Sequence, residues 1–65
     1  MRIKYEWGGR RAKLTDIDNQ VFKGVISDII GKADNEDTGR DSLTLNDGKN
    51  YISFSDNEIK SIEIL

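Results

Sequence analysis

The 65-residue chain contains no cysteine and no histidine. Without thiols it has no disulfide framework, thiolate zinc site or sulfur nucleophile, and without imidazole it lacks the commonest base for activating a nucleophile. Apolar residues never run for more than two or three positions, so no segment reads as a membrane-spanning helix. The opening Met-Arg-Ile-Lys-Tyr-Glu-Trp has no hydrophobic signal core, and a cytoplasmic protein with no membrane partner is expected. At this length one small domain is expected, near the lower limit for unaided folding. Hydrophobic residues are 35% of the chain and charged residues 34%, which makes for a lean core. Stability then rests on core packing, or on surface buried against further copies or a partner.

Charge is unevenly distributed. Residues 1–13 hold Arg2, Lys4, Arg10, Arg11 and Lys13 against Glu6, for +4, and the remainder carries −6, which gives the net −2. An acidic whole argues against duplex DNA as a partner, because such binding rests on neutralising phosphates. The basic first segment leaves room for a local anionic contact.

What the chain does have is period-two alternation interrupted by turn residues, the pattern of an all-β protein. Residues 2–7 read as a first strand with Ile3, Tyr5 and Trp7 on one face, ended by Gly8-Gly9. Residues 11–16 or 17 read as a second, with Ala12 and Leu14 inward and Ile17 out of phase at a bulge or strand end. Asp18-Asn19-Gln20 is a turn, since Asp and Asn tolerate left-handed φ.

Residues 21–30 form the longest strand, with Phe22, Ile26 and Ile30 on one face and Val21, Val25 and Ile29 on the other. Gly24 marks a bend. A helix competes there, because Val25-Ile26 and Ile29-Ile30 fit helical spacing; β-branching and the central Gly favour the strand. Residues 31–41 are a long, polar, acidic loop expected to be mobile. Residues 42–46 and 49 or 50–55 form a hairpin around Asp47-Gly48, which suits a type I′ turn. Ser55 and Glu58 have capping-box spacing over one short helical turn near residues 56–59, and residues 60–64 are the last strand. The expected object is a small, strongly bent antiparallel barrel of five to six strands, closed or partly open. Its expected core is Ile3, Tyr5, Leu14, Phe22, Ile26, Leu43, Leu45, Ile52, Phe54, Ile59, Ile62 and Ile64.

From residue 11 onward the order of elements resembles the Sm-like (LSm) barrel, whose topology SH3-like barrels share. The Asp18-Asn19 turn, the glycine-centred Phe22, Gly24 and Ile26, and the Ile-rich stretch 54–64 carry the likeness. Asp34-Asn35-Glu36 and Glu58-Ile59-Lys60-Ser61-Ile62 also resemble segments of small, uncharacterised Sm-like proteins of bacteria. The resemblance implies a barrel able to assemble into rings and, in its RNA-binding members, a uridine-rich RNA site. Two departures argue against inheriting that site. Asp56-Asn57 stands where those members carry an Arg-Gly pair, and an acid-rich loop stands where they present an Asp and a base-gripping Asn, Asp28 lying too near Gly24 to match. The family's N-terminal helix is also absent from the reading, with residues 2–7 strand-like instead.

Candidate functional residues are few. Asp34, Glu36, Asp37 and Asp41 are spaced unlike a calcium loop and read as solvated, so no metal and no cofactor is expected. Carboxylates alone in so small a chain have nowhere to enclose a substrate, so no enzyme is expected. Tyr5 and Trp7 with Arg10, Arg11 and Lys13 make an aromatic and basic set of the kind that holds single-stranded RNA. The competing reading places at least one of the two aromatics in the core and the arginines in solvent. Tyr51 faces away from the core, as cross-strand cover or as part of an interface. Lys23 and Lys32 are isolated and receive no role. Two functions follow as expectations. The first is a non-catalytic interaction module that binds protein partners or itself through strand edges and barrel surface. The alternative is a single-stranded nucleic-acid binder using the basic N-terminal segment.

Overall fold

The computed structural model describes residues 3–31 and 40–65. Among them, five antiparallel strands form one sheet: β1 (Arg11–Asp16), β2 (Val21–Ile30), β3 (Ser42–Asn46), β4 (Tyr51–Ser55) and β5 (Ile59–Ile64). Their order is β4-β3-β2-β1-β5, so the chain meanders from β1 to β4 and then crosses to the far side. The crossing uses a single 3-10 turn, Asp56–Glu58. The Glu58 carboxylate accepts the Ser55 backbone N–H at 2.8 Å, the capping arrangement expected from the spacing. No described helix is long and apolar enough to cross a membrane.

The sheet is bent hard enough to enclose its own inner face. Phe54 of β4 lies opposite Leu43, and Leu43 lies opposite Ile29, near the far end of β2 from Phe22. In a flat sheet Phe22 and Phe54 would then be roughly 20 Å or more apart. Their ring centroids are 5.2 Å apart in an edge-to-face contact. The bending buries Ile3, Ala12, Leu14, Ile26, Leu43, Leu45, Phe54 and Ile59, with Trp7, Phe22, Ile29, Ile52, Ile62 and Ile64 packed against them. The sheet does not close, however: β4 and β5 are its two ends and do not pair. The expected barrel of five to six strands is thus a five-stranded open sheet.

The missing sixth strand is residues 2–7. Among the described residues of that segment, Tyr5–Trp7 is a 3-10 turn, with Trp7 N–H donating to Lys4 O and Gly8 N–H to Tyr5 O. The segment is anchored through Gly9 N–H to Ile26 O at 2.7 Å and Ile26 N–H to Arg10 O at 2.8 Å. Ile3 and Trp7, four apart, reach the core, and Tyr5 does not: it is 69% exposed. Tyr5 therefore leaves the expected core, and Ala12, Ile29 and Trp7 enter the packed set.

A bulge explains why β2 is apolar on both faces. Its register to β3 shifts between Ile26 and Asp28, which leaves Ser27 unpaired. The extra residue reverses the alternation beyond it, so Ile29 and not Ile30 lies opposite buried Leu43. Gly24 also admits a close approach of neighbouring backbone. A Cβ there would collide with the Asn46 carbonyl oxygen and stand 3.1 Å from Asp47 Cα, so a side chain is excluded by the neighbouring backbone.

Two carboxylates build the hairpin turns. Asp16 is 9% exposed, and its Oδ1 accepts the N–H groups of Asp18 at 2.9 Å and Gln20 at 2.8 Å while Asn19 takes φ 65°. Asp47 Oδ1 accepts from Lys49 N–H at 2.8 Å and Asn50 N–H at 2.7 Å. The β3–β4 connection is consequently a four-residue loop, 47–50, closed by Asp47 N–H to Asn50 O. The expected type I′ turn needs positive φ at both central residues, and of Asp47 and Gly48 only Gly48 has it, at 100°.

Candidate functional site

Register decides which candidate residues share a face. On the outer face of the sheet, Tyr51 lies opposite Asn46, Asn46 opposite Val25, and Val25 opposite Arg11. In the neighbouring row, Lys23 lies opposite Lys13, and Lys13 opposite Glu63. Beyond them Val21, Thr15 and Ser61 form a third row. Arg11, Lys13 and Lys23 thus converge on the middle of the sheet's exposed surface, all three exposed. Among the described residues none of the three takes part in an ion pair; the ion pair present is Arg40 with Asp56 at 3.4 Å.

Of the six sequence candidates, the structure brings Arg11, Lys13 and Tyr51 onto this face. Tyr51 is 71% exposed at the end of its row, three strand spacings or roughly 14 Å from Arg11. Tyr5, Trp7 and Arg10 are not part of it. Trp7 is packed against the core, Arg10 has its carbonyl bound by Ile26, and the Tyr5 hydroxyl sits against Gly31, where a Cβ would collide with it. Of the two aromatics, Trp7 packs against the core while Tyr5 is 69% exposed.

Lys23 is the residue that sequence reasoning passed over. A signal was available: with a turn over residues 17–20, antiparallel pairing places 15 against 21, 14 against 22 and 13 against 23. Two lysines ten residues apart are then direct neighbours.

An open groove of about 390 Å³ runs beside this cluster, with Arg11, Lys23, Val25, Asn46, Asp47 and Leu65 among its walls. The two amide hydrogen bonds from Asn50 and Lys49 hold the Asp47 carboxyl below its ordinary 3.8, so it stays ionised at the groove's end. Asn46 Oδ1 is occupied by Gly48 N–H at 2.9 Å, which leaves its amide NH₂ as a donor.

The sheet's two edges are a second candidate surface. Asp56 N–H donates to Asp41 O on the β3 side, so the alternation of β4 turns the amides of Tyr51 and Ser53 outward. Leu65 N–H donates to Arg11 O, and by the same alternation the amides of Ile62 and Ile64 in β5 point away from β1. Neither outer edge meets another described strand. Among the described residues no three His, Cys, Asp or Glu side chains gather as a metal site. Asp41 is the one member of the acidic quartet that the structure describes; Asp34, Glu36 and Asp37 lie outside the described residues, as do Arg2 and Lys32. Compared with protein-family models, with curated proteins and with solved structures, the chain finds no significant match in any of the three.

Proposed function

We propose that this chain is a non-catalytic interaction module that joins protein partners, further copies of itself included, by strand addition at the edges of its sheet. The observation that carries the reading is the pair of open edges, β4 and β5, at opposite ends of one bent sheet. Unpaired strand edges are templates for another strand, and backbone hydrogen bonds supply the affinity. Proline, one common device for blunting an edge, is absent from the sequence. Two edges on one small body also let copies join head to tail, edge β4 of one to edge β5 of the next. The strand order, the bent β2 and the single turn joining β4 to β5 support an Sm-like or SH3-like small-barrel reading of the same architecture.

Single-stranded RNA along the basic N-terminal segment has less support. Trp7 is packed on the core, and Arg11 and Lys13 belong to the sheet's outer face and not to that segment's surface.

Sedimentation analysis across a wide concentration range tests the proposal, with Ser53→Pro as the comparison. Ser53 offers an outward amide, so proline there removes an edge donor and spares the β3 ladder. The expected result is a concentration-dependent assembly that Ser53→Pro abolishes while the monomer's circular dichroism persists. An unchanging monomer, or an assembly indifferent to Ser53→Pro, contradicts the proposal.

A further inference from the structure

We infer that the outer face of the sheet holds a site for a compact phosphate-bearing ligand, a diphosphate group attached to a planar ring. The cationic half of the site is Arg11, Lys13 and Lys23. Lys13 and Lys23 are direct cross-strand partners, and Arg11 stands two residues from Lys13 on the same face. Like charges directly opposite each other destabilise a strand pair, and no described carboxylate is ion-paired with either lysine. Glu63, opposite Lys13 on β5, offsets part of that repulsion, but the arrangement gives Lys23 no acidic cross-strand partner. It does concentrate three cations on one spot of a chain whose net charge is −2, and an anion seated there removes their mutual repulsion.

Carboxylates limit the length of that anion. Glu63 lies opposite Lys13 on its far side, and Asp47, ionised and fixed by two turn amides, stands in the wall of the groove that also holds Lys23. A long polyanion crossing this surface passes one or both carboxylates, which favours a short anion. The groove of about 390 Å³ beside the cations has the size of a small ligand's site. Val25 and Leu65 line it with apolar surface and Asn46 with an amide donor, while Tyr51, next to Asn46 in the same row, offers a ring face for stacking. These are the requirements of a nucleoside diphosphate. The site uses the face of the sheet and leaves both edges free.

The experiment is a low-salt NMR titration of the full chain with three probes: inorganic pyrophosphate, ADP and a single-stranded oligonucleotide. Pyrophosphate and ADP are expected to shift the amides of Lys13, Lys23 and Val25. ADP is expected to bind more tightly and to move the Tyr51 ring signals as well. Lys23→Gln is expected to weaken both by about tenfold or more, the loss of one charge-assisted contact, while its melting temperature stays equal or rises. That opposite movement of affinity and stability separates a ligand contact from a structural one. Three results overturn the inference: no shifts at low salt, shifts that Lys23→Gln leaves unchanged, or oligonucleotide affinity that exceeds that of ADP and grows with length. Equal affinity for pyrophosphate and ADP overturns the assignment of the ring.

Discussion

The inner and outer faces of the β1–β2 hairpin are made by alternate residues of the same two strands and obey opposite rules. Inside, Ala12 and Leu14 are fully buried, with Phe22 opposite Leu14 and Gly24 opposite Ala12. Outside, Arg11, Lys13 and Lys23 crowd together, and no described carboxylate forms an ion pair with them. The inner face is explained by folding: apolar area leaves water, at about 25 cal/mol per Å², and the packing is tight enough that Gly24 admits no side chain. On the outer face the Lys13–Lys23 pair repels, and of the two only Lys13 has an acidic cross-strand partner, Glu63. A surface that works against the fold at the centre of an otherwise accommodating sheet is where binding is to be sought.

Breaking the inner face has the largest expected effect. Leu14→Ala removes a fully buried side chain from the middle strand pair and should cost about 2–5 kcal/mol, read from denaturant unfolding. In so small a domain that is most or all of its stability. Gly24→Ala comes next, at about 1–3 kcal/mol, because the new methyl meets the Asn46 backbone and no flexible side chain can yield. A neutral result at Gly24 would show that the β3–β4 loop is free to move away from β2.

Changing the outer face should have the opposite sign. Lys23→Gln relieves the contact with Lys13 and should stabilise the chain by roughly 0.2–1 kcal/mol in low salt, with the gain shrinking as salt is added. Loss of stability in that variant would contradict the separation of the two faces.

The smallest effect is set by pH. The Asp47 carboxyl titrates below its ordinary 3.8 because Asn50 and Lys49 amides donate to the ionised form. A folded-state pKa below the unfolded one gives stability that is present above 3.8 and lost as pH falls through the lowered value. The stability difference between the wild-type chain and Asp47→Asn, followed by thermal unfolding, should be constant at neutral pH and shrink in that acidic window. A difference that persists there would show that the turn bonds do not depend on the charge.

The strands were legible because their cause is local. Residues 21–30 read as one strand from their β-branched side chains, and β2 has those bounds; residues 42–46 read equally well from alternating Leu43 and Leu45. Residues 2–7 were misread because Ile3, Tyr5 and Trp7 satisfy period two, while Ile3 and Trp7 alone also satisfy a helical turn. In the fold Gly9 and Arg10 bond to Ile26, and Tyr5–Trp7 before them takes the second arrangement. The bulge at Ser27 was invisible for a related reason. Val25-Ile26 and Ile29-Ile30 offer an apolar residue to the core in either phase, and pairing with β3 makes the choice. Lys23 was missed because its partner is spatial: Lys13 becomes its neighbour only once the turn length between them is fixed.

Residue-resolved amide hydrogen exchange as a function of protein concentration tests the edge account most directly. Dilute chain should exchange quickly at the outward amides of Tyr51, Ser53, Ile62 and Ile64, and these four should gain protection as assembly proceeds. Protection that appears on the Arg11–Lys13–Lys23 face while the four edge amides stay open would contradict it.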